Sequence, residues 1–120
     1  MRFAARSMDL TEPECAFLST QRLARLATVD SRGAPQNNPV GFFHDAESGA
    51  FVIGGHALGT TRKFRNVLGN PHVALVIDEL VSTRPWRVRG MEIRGTAEAL
   101  TGQEPPAPGL GRELIRVRPG

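Results

Sequence analysis

A chain of 120 residues forms one domain, residues 1–120, large enough to bury about two-thirds of its unfolded surface. With 40% hydrophobic and 22% charged residues it has the composition of a soluble globule, and its single cysteine, Cys15, excludes an internal disulfide or a cysteine-rich metal site. The formal net charge of +3 suits an anionic small molecule as well as a polyanion, so charge alone does not indicate nucleic acid.

Residues 1–10 carry arginines without an apolar core behind them, which predicts a flexible lead-in and no signal peptide. No run approaches the roughly 18 apolar residues of a membrane span, so the expected location is cytoplasmic. Thr11-Glu12-Pro13-Glu14 has the form of a capping box, with Thr11 at the N-cap and Glu14 at N3. It predicts a short helix through Ser19 with Ala16, Phe17 and Cys15 turned inward, Cys15 as a packing residue. Residues 21–29 alternate imperfectly, and Asp30-Ser31-Arg32-Gly33 is a hairpin turn. The returning strand, residues 34–43, contains Pro35 and Pro39 and therefore belongs at a sheet edge or carries a bulge. A second turn at residues 45–49 leads to a third strand at residues 50–53.

The rest of the chain is arranged around residues 52–78. A strand ends in Gly54 and Gly55, and a brief cationic helix at residues 60–68 follows, stopped by Gly69-Asn70-Pro71. Glycines let backbone approach a ligand closely, and a helix start offers free N–H groups to an anion. Arg62, Lys63 (the only lysine) and Arg65 add charge within about one turn, so the pattern predicts a phosphate site, against the plainer reading of a solvated cationic face. The apolar run at residues 73–77 predicts a strand covered on both faces. Residues 90–100 read as a long strand with Gly95 at a bend or close approach, and residues 111–118 end in a β pattern. About six strands and two short helices joined by hairpins make a small antiparallel barrel, a mainly β fold.

Several chemistries are absent. Gly54-Gly55 and Gly59 do not have the spacing of a dinucleotide fingerprint, and no nucleophile elbow, P-loop or zincin motif occurs. No His, Cys and Asp cluster has metal-ligand spacing. His44 and His72 read as structural, and His56 as a loop histidine that either packs or faces a ligand. Arg84, Arg87, Arg89 and Arg94 form the most basic run, but one Trp, no Tyr and six Phe in apolar settings do not make a nucleic-acid surface. No catalytic side chain stands out. That absence fits chemistry carried by a cofactor.

The segments QRLARLATVDSRGAPQNNPVGFF, then GGH with TRKFRNV and NPHVALVID, then RPWRVRGMEIRGTAEAL, resemble the pyridoxamine 5′-phosphate oxidase-like split-barrel flavoproteins. Within them the chain is similar to the branch that uses the deazaflavin coenzyme F420. The likeness covers residues 17 to about 100, and the second and third blocks are its more specific part. It implies an FMN-binding-type split β-barrel and a homodimer with the cofactor in a groove between subunits. It also implies that Thr61, Arg62 and Lys63, supported by Thr60, hold the cofactor phosphate, and that Asn66 packs near it. Gln36, Asn37, Asn38, Pro39 and Val40 would run along the ring, with Gly54 and Gly55 beneath it. Trp86 and Arg87 would reach the groove, from the second subunit in one arrangement. Family members usually continue past the position of Arg118-Pro119-Gly120 into a further strand with a tryptophan; here either a truncated chain or a different barrel closure is expected.

The expected function is that of an oxidoreductase passing a hydride from reduced coenzyme F420 to an electron-poor small molecule. The alternatives are an FMN-dependent oxidase or reductase on the same barrel and a non-catalytic flavin- or haem-type binding protein. Neither nucleic acid nor a membrane is an expected partner.

Overall fold

The computed structural model describes residues 2–4 and 10–120; the remaining part of the expected flexible lead-in lies outside the described residues. Arg2–Ala4 forms β1, a strand rather than a loose lead-in. Helix α1, Glu12–Ser19, begins with the expected capping box: Thr11 Oγ1 accepts from the Glu14 amide at 3.3 Å, and Glu14 Oε1 accepts from the Thr11 amide at 2.8 Å. Its inward residue differs from the expectation. Leu18 is buried and Phe17 half-buried, whereas Cys15 and Ala16 are exposed. The cap fixes the helix phase, and only one stripe of so short a helix meets the core.

Asp30 organises the next turn, its Oδ1 accepting from the amides of Arg32 and Ala34 while Gly33 takes a φ of +83°. Strands β2 (Leu23–Val29) and β3 (Pro35–Gly41) therefore pair antiparallel, Val29 opposite Pro35 and Leu23 opposite Gly41. After Phe42 come β4 (Phe43–His44) and β5 (Phe51–Ile53). A 3-10 turn at Leu58–Thr60 precedes α2, Arg62–Gly69, which starts two residues later than its sequence pattern predicts because Thr60 belongs to that turn. Strands β6 (His72–Thr83), β7 (Trp86–Leu100) and β8 (Leu114–Pro119) complete the chain.

The sheet order is β3-β2-β6-β7-β8-β5-β4, with β1 parallel to β7. β3 and β4 are the two ends of that order, yet only Phe42 separates them in the chain. The covalent backbone thus joins both edges and curls the sheet into a split barrel, with the proline-bearing β3 at an edge as its composition requires. Leu26, Ile53, Leu75, Ile77, Ile93 and Ile115 are fully buried in the barrel interior, each contributing about 1.5–3 kcal/mol. On β6 the buried residues are Val73, Leu75 and Ile77, while Ala74 and Val76 on the other face are only half-buried by this chain. Gly95 is a close-approach point: a Cβ there would run into the Arg118 carbonyl on β8. Strand β8 pairs with β7 on one side and β5 on the other. Among the described residues no helix is long and apolar enough to cross a membrane.

Candidate functional site

The two helices, each eight residues long, treat their N-termini in opposite ways. α1 has Glu12 and Glu14 in its first turn, where the helix dipole favours negative charge. α2 has no acidic residue there; Arg62 and Lys63 open it and Arg65 follows. None of these three pairs with a carboxylate among the described residues. Thr61 caps the helix, its Oγ1 accepting from the Phe64 amide at 3.4 Å and donating to the Leu58 carbonyl at 2.6 Å. The amides of Arg62 and Lys63 have no partner among the described residues. Positive side chains stacked on the positive end of a helix are unfavourable until an anion arrives, and such local conflicts mark functional sites.

A cleft of about 370 Å³ opens at this helix start. Lys63, Thr60 and Thr61 form one wall, Gly54 and Gly55 the floor beyond β5, and Pro39, Val40 and Gly41 of β3 the other wall. Three segments separated in sequence thus meet. The cleft also includes His56, and Gly41, which sequence reasoning did not single out; a bare residue directly after Pro39-Val40 was the available signal. A Cβ at Gly55 would make only ordinary contacts with Leu58, so its bareness leaves the floor open. Gly54 has a different reason: a Cβ there would lie 2.8 Å from Pro106 Cγ and 3.2 Å from Leu110 Cδ1, so the loop after β7 occupies its bare side.

Other expected residues either bond to neighbours or stand outside this chain's cleft. Arg62 is exposed beside the cleft without lining it. The hydroxyl of Thr60 is committed to the Ala57 carbonyl at 2.8 Å. Asn66 is buried and works as a strut: its Nδ2 donates to Thr28 Oγ1 at 3.0 Å and Gln36 Oε1 at 3.1 Å, tying α2 to β2 and β3. Gln36, Asn37 and Asn38 sit on β3 but do not line the cleft; Asn38 Oδ1 is buried without a partner among the described residues. Trp86 and Arg87 stand at the tip of the β6–β7 hairpin, Trp86 70% exposed, and do not line this chain's cleft. Of the basic run, Arg89 pairs with Glu79 and Arg94 with Glu92, which leaves no unbroken cationic stripe.

A small curled barrel with an anion-ready helix start beside a glycine strand end defines a split-barrel cofactor-binding protein. Residues 10–114 match the family described as pyridoxamine 5′-phosphate oxidase. A 5a,11a-dehydrotetracycline/5a,11a-dehydrooxytetracycline reductase from Streptomyces rimosus is 43% identical over 113 residues, 93% of this chain and 80% of that protein. The chain belongs to the pyridoxamine 5′-phosphate oxidase family, and it is an enzyme of the oxidoreductase class. A solved structure described as an F420 reductase is 26% identical, with a TM-score of 0.70 over 92% of this chain and 96% of that one. HutZ, a heme storage protein from Vibrio cholerae, shares the fold at 18% identity, with a TM-score of 0.69 over 91% of this chain and 89% of that chain.

The residues present fit a phosphate-bearing flavin or deazaflavin. Lys63 lines the cleft and two unpartnered amides open the helix beside it, a setting that suits an anion, and the open floor at Gly55 leaves room for a flat ring.

Proposed function

We propose that the protein is a reductase that binds coenzyme F420, with Lys63 and the start of α2 on its phosphate and the Pro39-Val40-Gly41 backbone along its ring. The carrying observation is the convergence of Lys63, the Thr60-Thr61 lead into α2 and the Gly54-Gly55 strand end on one cleft. When bound, the coenzyme supplies a hydride for an electron-poor acceptor. The protein binds the phosphate, orients the ring and keeps water from it. The likeness to an F420 reductase supports the deazaflavin over FMN. FMN use is the second reading, since FMN also presents a phosphate and the groups around Lys63 suit either cofactor.

A cleft of about 370 Å³ is near the lower end for small-molecule sites, which points to a second chain supplying the remaining wall. The exposed Leu80, Val81, Trp86 and Val88 on the β6–β7 hairpin give a second copy an apolar surface to cover, in keeping with a homodimer. The acceptor reduced by the Streptomyces relative gives the first assay. Reduced coenzyme F420 is mixed with a 5a,11a-dehydrotetracycline, and oxidation is followed by absorbance. Turnover is the expected result; F420 that binds without turning over on any electron-poor acceptor argues for a binding protein instead.

A further inference from the structure

A cavity of about 600 Å³ lies beside the cofactor cleft rather than in it. Its walls come from the second half of α1, the segment that leads into β2, and the run from Gly41 through β4. Leu18, Phe42 and Phe43 make it apolar; Gln21, Arg22 and His44 make its polar part. Gly41 lines both this cavity and the cofactor cleft. Val40 lines the cleft and Phe43 the cavity, so the two spaces open on one short run of chain, residues 40–43. The volume is mid-range for a drug-sized ligand. Leu18 and Phe42 are buried, but Phe43 remains 43% exposed, an aromatic face that nothing in the described chain covers.

The charge is as informative as the shape. Arg22 has no carboxylate partner among the described residues, and no carboxylate lines the cavity. The His44 ring lies 4.6 Å from that of Phe51, and burial lowers its pKa, so near neutral pH it adds no charge. A guanidinium at the edge of an apolar slot is the arrangement that binds an oxyanion carried on a flat ring system.

We propose that this cavity is the acceptor-substrate site, taking a flat, drug-sized conjugated molecule with an anionic oxygen, its rings against Leu18, Phe42 and Phe43 and its oxygen on Arg22. The inference rests on the cofactor reading above, since an acceptor must lie against the cofactor ring. A neutral molecule of the same shape forgoes the charge-assisted contact.

The probes are anthraquinone-2-sulfonate, a fixed anion, and 2-(hydroxymethyl)anthraquinone, its neutral counterpart, titrated calorimetrically into the full chain without cofactor. Cys15, the single cysteine, is exposed and lines the cavity, so its alkylation by iodoacetamide gives a footprint independent of activity. Saturating sulfonate is expected to slow that alkylation about tenfold, and Arg22→Gln to weaken sulfonate binding about tenfold while changing the neutral probe much less. Lys63→Ala is expected to leave sulfonate affinity unchanged while lowering that for coenzyme F420. No sulfonate binding, binding without protection of Cys15, indifference to Arg22→Gln, or sensitivity to Lys63→Ala would each overturn the cavity assignment, even with F420 still bound. Protection of Cys15 in a protein that binds no F420 would overturn the acceptor role through the cofactor reading instead.

Discussion

Asn66 spends both hydrogens of its amide nitrogen on the barrel, one on Thr28 and one on Gln36, from a position that is 8% exposed. Thr28 is itself 1% exposed, so removing its partner strands a buried hydroxyl. Asn66→Leu is expected to cost about 1–3 kcal/mol in urea unfolding, and an unchanged midpoint would mean that the strut carries no load. This role was not legible in the sequence, which placed Asn66 near the cofactor: a buried polar triad formed across 30 to 38 residues leaves no local signal. The position of Lys63 at a helix start beside a glycine strand end was legible, because a lone lysine after paired glycines is a local pattern. His44 sets a pH dependence. Burial lowers its pKa below 6.5, with Asp45 partly opposing the shift. The unfolded chain therefore takes up the proton first, and stability falls as pH drops through 6.5 towards the lower folded value. His44→Phe is expected to flatten the stability profile in that window, as measured by thermal unfolding; an equally steep mutant profile would assign the loss to other groups. The carboxylate of Asp45, held low by hydrogen bonds from Ser48 and the Glu47 amide, acts only further down, around and below 3.8.

At the scale of elements, turn chemistry and caps were read correctly because they depend on neighbouring residues. The capping box of α1, the Asp30–Gly33 turn and the edge position of β3 all follow from such rules. The long arms of the β6–β7 hairpin were missed. Their sequence, residues 78–89, mixes charges with exposed Leu80, Val81 and Val88, so neither face shows the alternation of a half-buried strand. Pairing there rests on a backbone ladder, with Arg89 and Glu79 opposite one another. Gly95 marks where β7 and β8 come too close for any side chain. Gly95→Ala is expected to destabilise by more than about 2 kcal/mol, since the obstacle is the Arg118 carbonyl and not a movable side chain. A loss below about 0.5 kcal/mol would show that β8 is free to slide.

At the scale of the whole molecule, the fold class was legible from strand count and hairpin connections, but the closure was not. It depends on β3 and β4 being one run of chain that leaves β2 and joins β5, a long-range choice made at Phe42. The proposed groove needs a second copy. The protein is expected to run at twice its chain mass in light scattering, and Trp86→Glu, at an exposed hairpin tip, to shift it towards the monomer. A wild-type monomer would remove the shared groove. The central claim is that the cleft at α2 holds a deazaflavin phosphate on Lys63, and fluorescence titration with coenzyme F420 and FMN, on wild type and Lys63→Ala, tests it most directly. Tighter binding of F420 than of FMN, weakened by about 1.5–3 kcal/mol in the mutant, is the expected result. Unchanged affinity in Lys63→Ala would contradict the site, and tight binding of FMN alone would contradict the cofactor.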